Sequence, residues 1–409
     1  MTTPNDSLLR LIREAGWTYE ALARRVNTDA CRRNLGTTYD RTTVAHWVRG
    51  SRPRSPVPEL LCGLFTQRLG RLITPVELGL ADSRPPALKG AAALIAAIPG
   101  LDANSGQEPD SGDGAPRTRV PEQRPRPDSE ERTVPAWHEQ VWRGAERFFV
   151  GQTAALGGRH TGPVLLAYLQ SAFGPGGGAP FLGAESRAGL VHVARTAVLL
   201  AGSYTDACRT QEAQGALTAA EALADHAQDR AVQAIALRQL SENALLQGGT
   251  ALATGYLNRA LEVSRHTSSP VRAYVAAQAA RVSAATGERP TALNWLETAS
   301  RLLPHHADDG DPFAVYSAAA LHYQQAAVLH RLGEPREAHA ALTASLEARP
   351  VQEARAVLLT LLARGWLHHA EGNSEAMSAA ADAAAEMNAT IASVRAAREI
   401  ARIRSAQPA

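Results

Sequence analysis

Near the N-terminus, Arg41, Thr42, Thr43, Ala45, His46 and Arg49, followed closely by Arg52 and Arg54, form a run of donors and small contact groups. Such residue types suit the edges and phosphates of double-stranded DNA. Arg41 can give two hydrogen bonds to a guanine edge, Thr42 brings a hydroxyl and a methyl, and Ala45 fits against a thymine methyl. His46 can donate to a purine N7 or O6. Arg49, Arg52 and Arg54 suit phosphate clamping, which fixes register without reading sequence. An arginine-rich amphipathic helix is equally an ordinary solvated face, so the elements around these residues carry the decision.

Those elements read as a small helical bundle. Asp40 is a helix N-cap, the helix runs Arg41–Arg49, and Gly50 closes it. At 3.6 residues per turn, Val44 and Trp47 face inward, while Arg41, Thr42, Ala45, His46 and Arg49 face outward. An earlier helix, capped by Thr18, carries Leu22, Ala23 and Val26 on its apolar face and is expected to run through Cys31 to Gly36. A first helix fits Ser7–Ala15, with Leu8, Leu9, Leu11 and Ile12 buried and Gly16 as its stop. Residues 51–58 read as an Arg-Pro-rich loop, and further helices are expected at about 58–69 and 75–80.

Composition agrees with an all-α chain. Of 409 residues only 5% are aromatic, and alanine is very abundant; alanine loses no side-chain entropy in a helix, and strand formers are scarce. Net charge is +2 overall, yet residues 1–80 hold twelve Arg against seven Asp and Glu, a local +5, leaving about −3 elsewhere. A basic head on a mildly acidic body predicts polyanion binding at one end only.

From 102 to 133 the chain is rich in Pro, Gly, Ser and charged residues, with almost no large apolar side chains. Such a segment cannot bury enough surface to offset its chain entropy, so 83–134 is expected to be a disordered, flexible linker. Within it the short apolar run Ala91–Ile98 is long enough to dock as one or two helical turns. Beyond Pro135 helix follows helix, interrupted by a Gly-Pro-Gly-Gly-Gly loop at 174–178. Glycines suited to ending the first helix of a pair recur at Gly202, Gly248, Gly287, Gly333 and Gly372, spaced by 46, 39, 46 and 39 residues. That regularity signals a helical-hairpin solenoid over 135–409.

Two resemblances follow from these residues. Gly287-Glu-Arg-Pro-Thr-Ala292 with Leu296, Ala299 and Pro304, and Gly333-Glu-Pro-Arg-Glu-Ala338 with Leu342, Ser345 and Pro350, resemble tetratricopeptide repeats. Gly248 with Ala253, Leu257 and Ala260 is a third match, Gly202-Ser-Tyr204 with Ala207 opens a fourth, and Gly372 a fifth. The family's usual period is 34 residues, so longer helices or loops are implied, and ligand-groove residues do not transfer. The segments Trp17–Val26 and Asp40–Gly50 resemble the Cro/phage-repressor helix-turn-helix class, with a spacer of about thirteen residues, 27–39, where a short turn is usual. In that class the first two residues after the cap and the sixth face base edges, here Arg41, Thr42 and His46.

The pairing of such a head with tetratricopeptide-like repeats resembles actinobacterial, streptomycete-type transcription regulators of differentiation and antibiotic production. It implies a sequence-specific DNA-binding regulator, a homodimer on half-sites one or two helical turns apart, and a peptide or protein ligand on the repeats. The rival expectation is a repeat scaffold whose N-terminal helices bind another protein. Across a flexible linker, control is expected to work through dimer assembly and effective concentration rather than rigid transmission.

No phosphate-loop, nucleophile-elbow, His-Glu-x-x-His or paired-cysteine motif is present, and Cys31, Cys62 and Cys208 are scattered. His305-His-Ala-Asp-Asp-Gly-Asp311 reads as loop solvation, and His368 and His369, adjacent on a helix, point apart. No catalytic residue, cofactor or metal is therefore expected, and the chain is not read as an enzyme. With no leader and no apolar run long enough to cross a bilayer, it is expected to be cytoplasmic and nucleoid-associated, with no membrane contact.

Overall fold

A computed structural model describes residues 4–32, 38–51, 57–69, 136–173, 186–303, 316–350 and 352–406. It also describes single positions or short pieces at 53, 73, 78–79, 95, 97–99, 311 and 313. Among the described residues there are seventeen helices and no strand. None of those helices is long and apolar enough to cross a membrane.

The head holds α1 (Asp6–Glu14), α2 (Tyr19–Arg32), α3 (Arg41–Val48) and α4 (Val57–Leu69). Leu8, Leu11, Ile12, Leu22, Val26, Val44, Trp47, Leu60, Leu61 and Phe65 share one buried core. The first helix starts earlier than its sequence suggests. It begins at Asp6, and Asn5 is its cap: its Oδ1 accepts from the Leu8 N–H at 2.9 Å, and its Nδ2 donates to the carbonyl of Leu78 at 2.8 Å. One asparagine thus caps a helix and ties it to a distant turn, a long-range role that local pattern does not reveal. Thr18 does cap α2, accepting from Ala21 N–H at 3.1 Å. That helix is described to Arg32, and its expected continuation to Gly36 lies outside the described residues, as does most of the helix expected at 75–80.

The remaining helices are α5 (Ala136–Leu156), α6 (Gly158–Phe173), α7 (Arg187–Asp206), α8 (Thr210–His226), α9 (Arg230–Leu246), α10 (Thr250–Ser264) and α11 (Ser269–Ala285). After them come α12 (Arg289–Leu302), α13 (Ala318–Arg331), α14 (Pro335–Glu347), α15 (Ala354–Ala370), α16 (Ser374–Ile391) and α17 (Val394–Ser405). From α7 to α16 they form five consecutive antiparallel pairs, consistent with a repeat solenoid.

Each pair turns in the same way. The N–H groups of Arg209, Gly249, Glu288, Glu334 and Asn373 reach back to the carbonyls of Tyr204, Ala244, Ser283, Leu329 and His368. The residue before each donor is left-handed: Cys208, Gly248, Gly287, Gly333 and Gly372, with φ of 58, 76, 82, 80 and 70°. This is the six-to-one closure that satisfies the last carbonyls of a helix. It corrects the expected register at the first repeat, because Gly202 lies inside α7 and Cys208 takes the turn. The true spacings are 40, 39, 46 and 39 residues. Five residues after each turn stand Ala213, Ala253, Ala292, Ala338 and Met377, and nine after stand Leu217, Leu257, Leu296, Leu342 and Ala381, all buried. In the first four pairs the alanine at the first position lets the helices approach and the leucine at the second fills the space between them; in the fifth, Met377 and Ala381 exchange those sizes.

The array closes on itself. Helix α15 packs on α5, α16 on α5 and α6, and α17 on α7. Asp206, at the end of α7 and 2% exposed, accepts from Arg355 Nε at 2.6 Å and Nη2 at 2.7 Å, and from the Gly158 N–H at 3.0 Å. A Cβ at Gly158 would stand 2.5 Å from Ser203 Cα, so this close crossing of α6 and α7 requires glycine. A polar network joins α9 to α11 and reaches Tyr316 just before α13. Arg281 and Arg238 pair with Glu242, the Arg238 guanidinium lies 4.2 Å from the Tyr274 ring, and Tyr274 meets Tyr316 at 5.2 Å.

Head and repeats are in contact. Helix α4 packs on α10, and a cleft between them is lined by Asp29, Gly63 and Leu64 on one side and by Asn243, Thr250 and Tyr256 on the other. Part of the segment read as linker is also seated: Ile95 and Ile98 are buried in the repeat core, and Tyr204 Oη donates to the Pro99 carbonyl at 2.8 Å. Two isoleucines three apart supply the apolar area that the polar stretch after them lacks. Residues 102–133, the 174–178 loop and His305–Asp309 lie outside the described residues.

Candidate nucleic-acid interface

The candidate site is the outer face of α3. Asp40 begins it, with extended backbone and a side-chain oxygen that accepts from the Thr43 N–H and the Thr43 hydroxyl, each at 2.7 Å. Those two bonds, the hydroxyl's the larger, hold the Asp40 carboxyl below its ordinary range. Gly50, at φ 104°, closes the helix, its N–H reaching the Trp47 carbonyl at 3.1 Å. Val44 is fully buried and Trp47 is 4% exposed, so both anchor the helix as their spacing predicts.

Arg41, Thr42, His46 and Arg49 are exposed, and Ala45 is half-buried beside them. Among the described residues no hydrogen bond or ion pair engages the side chains of Arg41, His46 or Arg49. Thr43 differs: it is half-buried, and its hydroxyl hydrogen is committed to Asp40. Its part is to lock the cap, which leaves only its oxygen lone pairs for an outside donor. Arg52 and Arg54 lie outside the described residues. None of the α3 residues lines the cleft between head and repeats, so seating the head leaves this face open.

What holds α3 in place includes one residue that sequence reasoning missed. Asn27, on α2, donates from Nδ2 to the Tyr39 carbonyl at 2.7 Å and accepts at Oδ1 from the Tyr39 N–H at 2.8 Å. This two-bond bracket grips the backbone just before the Asp40 cap and carries the geometry across the unusually long spacer. The Tyr39 ring then meets Trp47 with centroids 5.4 Å apart. At the other end, the Asn5 N–H donates to the Val48 carbonyl at 2.8 Å. Both ends of α3 are therefore tied to neighbouring elements by amide groups. The partner of Asn27 is backbone twelve residues away, which leaves no trace in residue types.

A second polar cluster, in the repeats, has a structural character. Glu146, 3% exposed, accepts from His192 Nδ1 at 2.8 Å and Arg195 Nη1 at 2.9 Å, and Arg195 Nη2 reaches Asp311 at 2.7 Å. Burial pushes the Glu146 carboxyl up, but His192 and Arg195 outweigh it and the net shift is downward. Tyr168 closes the group, its Oη 2.8 Å from His192 Nε2, and burial raises that phenol to about 12. Its polar atoms face one another across α5, α6 and α7, an arrangement that joins helices.

Residues 8–81 match the family described as the SP15 N-terminal domain. No curated protein matches the chain. The family match spans α1 to α4 and stops before the docked isoleucines, so it coincides with the head as the structure delimits it.

Proposed function

We propose that the chain is a sequence-specific DNA-binding transcription regulator in which α3 enters the major groove. The observation that supports this reading best is the state of Arg41, Thr42 and His46. They stand exposed on a helix whose cap, anchors and terminal glycine are all in place, and the two charged-or-ring donors have no partner within the described protein. An unpartnered arginine at the start of a capped helix is suited to a guanine edge, and Arg49 on the same face to a phosphate. Regulation of differentiation or secondary metabolism is the biological setting that the combined head and repeats suggest.

Homodimerisation belongs to the same proposal. Val141 and Phe148, seven residues apart on α5, and Val164 on α6 are about half exposed, at 50, 56 and 52%. Heptad spacing puts the first two on one face, and a twofold dimer would use the same patch from both copies. Phe148→Glu is expected to leave a monomer in analytical ultracentrifugation while preserving helicity; an unchanged oligomeric state would remove this face from the proposal. The second copy would set two heads on half-sites of one operator.

Enrichment of genomic fragments on the full-length protein, followed by sequencing, tests the DNA reading. A repeated half-site is expected. Arg41→Ala should relax preference at one base pair, at a cost of about 1–3 kcal/mol. Arg49→Ala should weaken all sequences alike and lower the salt slope by about one. Retention of no DNA in preference to any other, with capture of a protein partner alone, would instead favour the scaffold reading.

A further inference from the structure

Where the fourth and fifth helix pairs meet, the fold brings together one side chain from α14 and two from the C-terminal end of α15. His339 on α14 places Nε2 2.8 Å from Glu371 Oε2, and His368 in the last turn of α15 places Nδ1 3.6 Å from the same oxygen. The two imidazole centroids are 4.6 Å apart, and the three candidate donor atoms all lie within 4.8 Å of one another. His368 Nδ1 is shielded from solvent, and at its distance from Glu371 it makes no hydrogen bond. It is a buried ring nitrogen turned toward a carboxylate and a second imidazole, with nothing bonded to it. His369, its sequence neighbour, points elsewhere and meets the Trp366 ring edge-on at 5.7 Å.

We propose that His339, His368 and Glu371 form a binding site for one divalent transition ion of the zinc class. Two imidazole nitrogens and one carboxylate oxygen are a donor set that borderline ions prefer, whereas magnesium and calcium favour all-oxygen shells. Ligand bonds of about 2.0–2.1 Å in tetrahedral geometry hold donor atoms roughly 3.3 Å apart. The separations of Glu371 Oε2 from the two imidazole nitrogens, 2.8 and 3.6 Å, bracket that spacing, and the two nitrogens lie within 4.8 Å of each other, so side-chain rotation must draw them together. All three groups are partly exposed, at 26, 18 and 31%, which leaves an entry path and a fourth position for water. Bound there, the ion bridges α14 to α15 and braces the last two pairs of the array. Each imidazole must be neutral and the carboxylate ionised to bind, so binding releases protons.

The test uses full-length, tag-free protein stripped with a chelator and titrated with cobalt(II), whose visible absorption reports tetrahedral nitrogen and oxygen ligation. One equivalent is expected to bind and to be displaced by zinc(II). His339→Gln and His368→Ala should each weaken binding at least about tenfold, and His266→Ala, on a remote turn, should leave it unchanged. Glu371→Gln alters an exposed turn residue and tests the same ligand set should His368→Ala fail to fold, with circular dichroism as the check. Absence of stoichiometric binding, or affinity unchanged from the parent in both Glu371→Gln and His339→Gln, would overturn the assignment. DNA retention plays no part in this readout, so the outcome is independent of the proposed function.

Discussion

Individual residues on α3 were the most legible part of this chain. The Asp40 cap, the Val44 and Trp47 anchors and the exposed Arg41, Thr42, His46 and Arg49 all stand where helical period and capping chemistry place them. Thr43 was read as a DNA-facing residue because residue type is silent on where a hydroxyl hydrogen goes. Cys208 was missed for a related reason: a left-handed turn residue is normally glycine, so the nearest glycine, Gly202, attracted the assignment. The left-handed region costs a residue with a Cβ roughly 1–2 kcal/mol. Cys208→Gly is therefore expected to stabilise the protein by about 1 kcal/mol in chemical denaturation. Gly287→Ala should destabilise it by a similar amount although no neighbour lies within 4 Å of the added carbon. A null effect from both would show that these turns relax without cost.

Helices and their pairing were legible as a period, while their ties to one another were not. Alanine at the fifth position and leucine at the ninth after the first four turns announce the hairpins, because both belong to one buried seam; the fifth pair reverses the sizes with Met377 and Ala381. Nothing local announces the Asn27 bracket, since its partner is the backbone of Tyr39 across the spacer. Asn27→Leu removes both bonds and leaves the Tyr39 amide and carbonyl to water, at a cost of about 1–3 kcal/mol. Because the bracket sits before the cap, α3 itself should remain helical while its seat loosens. The expected result is faster amide exchange at 39–44 and weaker DNA retention, with far-ultraviolet circular dichroism unchanged. Unaltered exchange there would mean that the Tyr39–Trp47 contact alone holds the helix.

For the whole molecule, the sequence predicted a hairpin solenoid on a flexible linker; the solenoid is present, and the structure adds contacts that the pattern did not reveal. Head and repeats touch through α4 and α10, and Ile95 and Ile98 are anchored in the repeat core, so a contact route between them exists beside the chain. Closure depends on Asp206 and Arg355, 149 residues apart, a separation that no local pattern encodes. Burial raises the Asp206 carboxyl, but Arg355 and the Gly158 N–H outweigh it, and its native value is lowered. A lowered carboxyl stabilises fully above its unfolded value of about 3.9 and loses that contribution as pH falls through the native one. Asp206→Asn should cost about 2 kcal/mol at neutral pH, since it leaves a partly buried guanidinium without its charge partner, and should flatten the acid limb of the stability curve. An acid limb as steep as the parent's would assign it to other carboxylates, Glu146 and Glu242 first among them. Closure also fixes arithmetic that open arrays leave free. A linear stack can gain or shed a unit at its tip by duplication or deletion, whereas here an added unit would part Asp206 from Arg355 and a missing one would crowd them. The number of hairpins is in that sense set by circumference, like the teeth on a wheel.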